Sequence, residues 1–136
     1  MSDQAASAAA PAPRRGTAIL VWAADLAQPE RCATLFMTAQ ACRALDLQVE
    51  LYFTGPAVRL LLREEQSQRV GYGSDAQPLS HHLAETQRSG AQVVVCSQAL
   101  HHLQIDRAAL VDGCAAGGVV QFAARCADRD WATLVF

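Results

Sequence analysis

One stretch of the sequence, Ala18 to Ala24, constrains the fold more than any other. Its seven residues, Ala-Ile-Leu-Val-Trp-Ala-Ala, are all apolar. A strand with one face in water alternates apolar and polar residues, so an unbroken run is typical of a central parallel strand that is covered on both faces. The stretch Gln92 to Cys96 contains three consecutive valines and favours the same structure. Both stretches are much shorter than the roughly 20 apolar residues that cross a bilayer, so no membrane span is expected.

Helical and strand-like patterns alternate along the rest of the chain. Behind Pro29, apolar residues recur at helical spacing from Cys32 to Leu45 and predict one buried helix face. The other predicted strands are Val49 to Thr54, Gly113 to Ala116 and Trp131 to Phe136. Four more helices are predicted: one after Pro56, one from His81 to Arg88 with Ser80 as its N-cap, one from Ser97 to Leu103, and one after Gly117-Gly118. Residues 66–78 are predicted to form a polar loop. This alternation predicts an α/β fold, a three-layer α/β/α sandwich around a mostly parallel sheet of about five strands.

The length of 136 residues is that of a single domain. Residues 1–16 are rich in alanine and proline and are predicted to form a disordered tail, and residues 17–136 are predicted to form one domain. The tail lacks the charged start and leucine-rich core of a signal peptide, which favours a cytoplasmic protein.

All 11 basic residues are arginines, and the formal net charge is −2. The lack of lysine excludes a Schiff-base lysine and the lysine of a Walker-type phosphate loop. A net charge this small provides no basic field to attract a nucleic acid or an anionic membrane. Direct nucleic-acid binding is therefore not expected.

The five cysteines are an odd number and include no Cys-x-x-Cys pair. This pattern argues against a zinc ribbon, a thioredoxin-type dithiol and a secreted disulfide scaffold. Cys32, Cys42 and Cys126 fall on the apolar faces of predicted helices, where core packing is the expected role. Cys96 ends a buried strand and directly precedes a helix, whose free amide groups stabilise a thiolate. We therefore identify Cys96 as the candidate nucleophile, beside the plainer interpretation that it is a small buried apolar residue.

Ligands of open parallel sheets bind at the carboxyl ends of the strands, where loops and helix N-termini meet. The candidate neighbours of Cys96 at that edge are Asp25, Thr54, Gly55, Ser97, Cys114, Gly117 and Gly118. If the fourth strand lies beside the third, the Cys114 thiol could lie near Cys96 as a resolving partner, but a packing role is the favoured interpretation of Cys114. The loop at 66–78 is expected to shape the mouth of the site.

The four histidines form two adjacent pairs, His81-His82 and His101-His102. Neighbouring side chains on a helix diverge by about 100°, so each pair offers at most one ligand to a shared site. One histidine from each pair could in principle bind a metal together with Cys96. A solvated polar face or a local positive group near the thiol fits the histidine pattern better. We predict neither a metal nor a cofactor.

The segment Val95 to Leu100, Val-Cys-Ser-Gln-Ala-Leu, resembles the DsrE/TusD-like family of sulfur-relay proteins. Ile19 to Ala24 is similar to the opening strand of that family, and Thr34 to Leu45 to its first helix. Val119 to Phe136 is similar to its closing helix and strand. The resemblance covers residues 17–136, so only the tail lies outside it.

This resemblance implies a flavodoxin-like sandwich that assembles as a homotrimer or homohexamer. It also implies that the cysteine at the position of Cys96 accepts sulfane sulfur as a persulfide and passes it to a partner thiol. Sulfur donor and acceptor proteins would then be the partners, and the protein would be a carrier rather than a multiple-turnover enzyme. Some family members lack this cysteine, whereas the present chain has it.

Two other functions are compatible with the same residues. In one, the pocket at the sheet edge binds a small anion or a nucleotide, and Cys96 is incidental. In the other, the protein is a thiol peroxidase or redox sensor that uses Cys96 and Cys114. The redox function requires Cys114 to lie close enough to Cys96 to form a disulfide, whereas the sulfur carrier does not.

Overall fold

A computed structural model describes residues 13–136 and contains eleven strands and α-helices. The strands are β1 (Gly16–Val21), β2 (Gln48–Phe53), β3 (Arg69–Val70), β4 (Gln77–Pro78), β5 (Gln92–Cys96), β6 (Cys114–Gly117) and β7 (Trp131–Val135). The α-helices are α1 (Pro29–Ala44), α2 (Leu79–Arg88), α3 (Ser97–His102) and α4 (Val119–Ala127). Five strands form one sheet in the order β6-β5-β2-β1-β7, and every pair in it is parallel. The predicted α/β sandwich with a five-stranded parallel sheet is confirmed.

The two faces of the sheet carry cores of different size. On one face, α1, α2, α3 and a 3₁₀ helix at Gly55–Leu61 cover the larger cluster, which includes Phe36, Phe53 and Val95. On the other face, α4 alone contributes Phe122, which packs with Tyr52 on β2. Side chains alternate between the faces along each strand, so neighbouring residues of β2 enter different cores.

An ion pair between Arg125 and Glu50 connects α4 to the sheet. Arg125 Nε lies 2.5 Å from Glu50 Oε1, and its guanidinium stacks over the Trp131 ring at 3.9 Å. The Tyr52 hydroxyl donates to Glu50 Oε2 at 3.1 Å. Burial, together with the nearby Glu50 carboxylate, raises the pKa of Tyr52. These contacts link α4 to Glu50 on β2 and to Trp131 on β7.

Several local expectations are wrong. Helix α2 begins at Leu79 with Pro78 as its N-cap, so Ser80 lies inside the helix. The fully buried Leu79 anchors this first turn in the core. Leu45 is the C-cap of α1 and is 73% exposed, because the chain turns away from the sheet there. The segment after Pro56 is a 3₁₀ helix instead of an α-helix.

The loop at 66–78 is more ordered than its polar composition predicts. It contains the two-stranded antiparallel hairpin of β3 and β4. Val70 on β3 is completely buried in the larger core. Val70 therefore anchors this loop in the core, together with a hydrogen bond from the amide of Gly71 to the carbonyl oxygen of Pro29 at 3.2 Å.

The predicted tail, residues 1–16, falls mostly on residues 1–12, which lie outside the described residues. Within residues 13–16, Arg14 donates to the carbonyl oxygens of Arg129 and Trp131, and Gly16 already belongs to β1. Among the helices of residues 13–136, none is both long and apolar enough to cross a membrane.

Candidate functional site

Cys96 lies at the carboxyl edge of the sheet, as the last residue of β5 and the N-cap of α3. The residue is 7% exposed and belongs to the larger core cluster. No amide of the first turn of α3 donates a hydrogen bond to its thiol. The sulfur is thus close to the surface but mostly covered, which suits a group that must be shielded from water and reached from one side.

Glycine-containing loops flank Cys96 on both sides. The sheet order places β5 between β2 and β6. Thr54 and Gly55 follow β2, whereas Gly117 is the last residue of β6 and Gly118 follows it. Cys96 is the register partner of Gly117. A Cβ atom added at Gly55 or at Gly118 would meet no atom within 4 Å, so the surface beside both residues is open. Gly55 also has φ of +56°, a conformation that side chains disfavour.

Ser97 and Asp25 differ in how close they lie to Cys96. Ser97 is the exposed first residue of α3 and directly follows the cysteine. Asp25 follows β1, which is separated from β5 by β2. Its carboxylate accepts a hydrogen bond from the amide of Ala27 at 2.8 Å, and its carbonyl oxygen accepts one from the Cys32 thiol at 3.2 Å. Asp25 therefore shapes the β1–α1 turn.

The prediction that Cys114 lies near Cys96 is wrong. Strands β5 and β6 are neighbours, but Cys114 is the register partner of Val93, at the opposite end of the pair from Cys96. Three residues along a strand correspond to about 10 Å. Two cysteines can form a disulfide only when their Cα atoms lie within about 7 Å. Burial is the largest cause that raises the pKa of Cys114, so this thiol also resists ionisation.

The other three thiols occupy different environments. Cys32 is completely buried, as predicted, and burial raises its pKa to about 11, with a further increase from the Asp25 carboxylate. Its thiol therefore stays protonated at neutral pH. Cys42 is half-buried against the larger core. Cys126 is exposed, so its predicted core role is wrong: Phe122 is the buried residue of the nine-residue α4.

The histidine pairs do not gather at Cys96. The His82 ring stacks on Phe36 with centroids 5.9 Å apart, and its Nε2 lies 2.9 Å from the carbonyl oxygen of Val70. His101 and His102 are exposed at the end of α3. Within residues 13–136, no three His, Cys, Asp or Glu side chains are grouped in a way that could hold a metal ion.

The largest cavity at the sheet edge has a volume of about 640 Å³ and opens beside the carboxyl end of β1. Of the predicted site residues, Asp25 lines this cavity, and Cys96 does not. Gln68 contributes to its wall, so the loop at 66–78 reaches this cavity. Sequence reasoning missed the charged lining residues Arg59 and Glu65, because their approach to β1 depends on the path of the chain after β2.

The fold and the site define an α/β/α protein with a mostly buried cysteine at the carboxyl edge of a parallel sheet. The chain belongs to the DsrE/DsrF-like family, whose model matches residues 18–136. This result confirms the resemblance that the sequence around Cys96 indicated. The family is generally linked to sulfur relay.

Solved structures share the fold at low sequence identity. The ychN protein from E. coli is 22% identical with a TM-score of 0.65, over 90% of this chain and 99% of that chain. MTH1491 from Methanobacterium thermoautotrophicum, a protein of unknown function, is 18% identical with a TM-score of 0.68, over 88% and 97% of the two chains. BT1422 from Bacteroides thetaiotaomicron, a conserved protein of unknown function, is 12% identical with a TM-score of 0.63, over 88% and 94%. No curated protein matches the sequence.

Proposed function

We propose that the protein is a sulfur carrier that accepts sulfane sulfur on Cys96 as a persulfide and delivers it to the thiol of a partner protein. The observation that carries the proposal is the position of Cys96, the cysteine at the carboxyl edge of the sheet in a DsrE/DsrF-like chain. Carboxyl edges of parallel sheets are where such folds place their reacting groups.

The proposed reaction is a thiol–persulfide exchange in two steps. The Cys96 thiolate attacks the outer sulfur of a donor persulfide, a new S–S bond forms on Cys96, and the donor leaves as a thiolate. A partner thiolate then attacks the outer sulfur of the Cys96 persulfide, and Cys96 leaves as a thiolate. No electrons are gained or lost over the two steps, so neither an oxidant nor a cofactor is needed.

The surroundings of Cys96 support this chemistry. A persulfide reacts readily with small thiols in solution. A carrier therefore has to shield its persulfide from solvent and leave it accessible to the partner protein. Cys96 as a residue is 7% exposed, and the open surface beside Gly55 and Gly118 leaves room for a partner chain on either side. Cys32 is sealed in the core with a raised pKa, and this argues against it as the carrier.

The redox-sensor alternative requires a resolving thiol. Within one chain, the register of β5 and β6 keeps Cys114 about 10 Å from Cys96 along the strands. A disulfide between them would need β6 to leave its place in the sheet. This geometry favours the carrier over a Cys96–Cys114 disulfide switch.

Intact-mass analysis after incubation with polysulfide tests the proposal. Wild-type protein is expected to gain about 32 Da per sulfur atom and to lose that mass on reduction. Cys96→Ser is expected to lose the adduct, because a hydroxyl forms no persulfide. Because Cys126 is an exposed thiol, Cys126→Ser is the matched control: we expect it to load like wild type, which would show that the adduct is not on Cys126. Equal loading of wild type and Cys96→Ser would refute the proposal.

We also propose that copies of the chain assemble into a homotrimer or homohexamer, as family members do. The support is apolar surface around α4: Val120 is 84% exposed and Val135 is 59% exposed. Light scattering at micromolar concentration should give about three or six times the chain mass of 14.5 kDa. A mass near that of one chain would contradict this assembly. The five free thiols fit a reducing compartment such as the cytoplasm.

A further inference from the structure

The cavity of about 640 Å³ beside the carboxyl end of β1 is lined by charged side chains of both signs. Asp25 and Glu65 contribute carboxylates, and Arg59 contributes a guanidinium group. Most of the other lining residues are apolar, among them Trp22, Leu26, Pro56 and Leu60. The cavity therefore combines a cation and two anions with apolar walls, and a ligand that fits it has to satisfy both signs.

Arg59 and Glu65 have no partner within the protein. Among residues 13–136, neither side chain forms a hydrogen bond or an ion pair, with the other or with any third residue. The neighbouring Arg63, in contrast, pairs with Asp112 at 2.7 Å. Glu65 is also half-buried, and a carboxylate that is partly removed from water usually accepts a hydrogen bond. A ligand in the cavity can supply the partner that each of the two residues lacks.

The backbone segments that carry Arg59 and Glu65 are held together by Gln66. Its side-chain amide donates to the carbonyl oxygen of Leu60 at 3.0 Å and to that of Leu62 at 2.7 Å. The two charged residues therefore face the same cavity from a fixed backbone. Charged groups that are positioned in advance bind a ligand at a lower cost in conformational entropy.

The opposite wall of the cavity is also fixed. The amides of Trp22 and Ala23 both donate to the carbonyl oxygen of Phe136, at 2.8 and 3.1 Å. The Asp25 carboxylate accepts a hydrogen bond from the amide of Ala27 at 2.8 Å, so it already has a partner in the β1–α1 turn. Trp22 is 55% exposed and provides an aromatic surface against which an apolar group can pack.

We propose that this cavity binds a small zwitterion, a free amino acid with an apolar side chain. The ammonium group of the ligand pairs with the Glu65 carboxylate, its carboxylate pairs with the Arg59 guanidinium, and its side chain packs against Trp22. A ligand with a single charge would leave Arg59 or Glu65 without a partner, whereas a zwitterion satisfies both. The volume of about 640 Å³ lies in the range of ordinary small-molecule sites. Cys96 does not line the cavity, so the site is independent of the proposed sulfur chemistry.

Titration of ¹⁵N-labelled protein with L-phenylalanine tests the site, because one of the two indole N–H signals belongs to Trp22 and the other to the buried Trp131. Trp22→Phe assigns the signals. The Trp22 signal is expected to shift saturably at millimolar ligand, and the Trp131 signal is expected to stay in place. Arg59→Gln and Glu65→Gln should each weaken binding about tenfold, the usual effect of losing one charge-assisted contact.

Matched variants remove a charge of the same sign outside the cavity. Glu64 is exposed and precedes Glu65, and Arg129 is exposed near the end of the chain. Neither residue lines the cavity. Glu64→Gln and Arg129→Gln should therefore bind L-phenylalanine like wild type. The proposal is wrong if these two variants weaken binding as much as Glu65→Gln and Arg59→Gln do.

Two derivatives of the ligand assign each charge to its partner. N-acetyl-L-phenylalanine lacks the cation, and L-phenylalaninamide, protonated at mildly acidic pH, lacks the anion. Each should bind wild type about tenfold more weakly than L-phenylalanine does. Glu65→Gln should not weaken binding of the N-acetyl derivative further, and Arg59→Gln should not weaken binding of the amide further. The proposal is wrong if L-phenylalanine leaves the Trp22 signal unshifted at millimolar concentration, or if either derivative binds as tightly as the zwitterion.

Discussion

Cyanide treatment of sulfur-loaded protein is expected to release about one thiocyanate per chain from wild type, and at least about tenfold less from Cys96→Ser. Cyanide attacks the outer sulfur of a persulfide and forms thiocyanate, and the cysteine leaves as a thiolate. The assay therefore measures transferable sulfur, whereas a mass shift measures only attachment. Absorbance of the ferric thiocyanate complex quantifies the product after excess polysulfide has been removed by gel filtration.

The matched controls separate Cys96 from the other thiols. Cys126→Ser removes the exposed thiol and should leave the thiocyanate yield unchanged. Cys114→Ser should also leave it unchanged, because Cys114 lies at the far end of the β5–β6 pair. A yield that falls with Cys126→Ser and persists in Cys96→Ser would place the sulfur on the surface of α4 and refute the carrier proposal.

The order of strands and helices was predictable because the sequences of β1 and β5 contain unbroken apolar runs and helical patterns alternate with strand patterns along the chain. Within these runs, Ile19, Val21, Val93 and Val95 are buried in the larger core and Ala18 and Val94 in the smaller one, whereas Trp22 and Ala23 lie beyond the end of β1 and are exposed. The exact ends were harder to predict. Leu45 continues the helical spacing of α1, but the chain turns before that residue can be buried, and only the tertiary path determines where this happens.

Burial on the α4 side could not be predicted from spacing alone. The apolar residues of α4 recur every three or four positions, which indicates one buried face. Phe122 is buried, whereas Val119 and Cys126 are exposed, because a helix of nine residues covers only part of the sheet. The periodicity shows which side of a helix is apolar, but it does not show how much sheet lies beneath it.

The candidate site shows the same division between sequence and topology. The carboxyl ends of the strands could be located from the strand order along the chain, which directed attention to Cys96 and its flanking glycines. The register between β5 and β6 could not be predicted from the sequence. One strand pairing, Val93 with Cys114, moves Cys114 away from Cys96.

Gly117→Ala is expected to destabilise the protein and Gly118→Ala to leave its stability nearly unchanged, although the two residues are adjacent. A Cβ atom at Gly117 would lie 2.5 Å from Val94 Cγ1 and 2.0 Å from Gln121 Oε1. The glutamine can swing away, but the valine is stiff about its Cα–Cβ bond and is buried on β5. A Cβ atom at Gly118 would meet nothing within 4 Å, and its φ of −175° is open to any residue.

Gly117→Ala should therefore lower the free energy of unfolding by about 1–3 kcal/mol, the usual cost of overpacking. Gly118→Ala should change it by less than about 0.5 kcal/mol, as at an unobstructed surface position. Thermal unfolding followed by circular dichroism measures both, and a loss of 2 kcal/mol corresponds to roughly 5–10 °C in Tm for a domain of this size.

Because Gly117 is the register partner of Cys96, the same displacement should lower the thiocyanate yield of Gly117→Ala and not that of Gly118→Ala. Equal melting temperatures for the two variants would show that β6 moves aside freely, and that the Val94–Gly117 contact does not position Cys96.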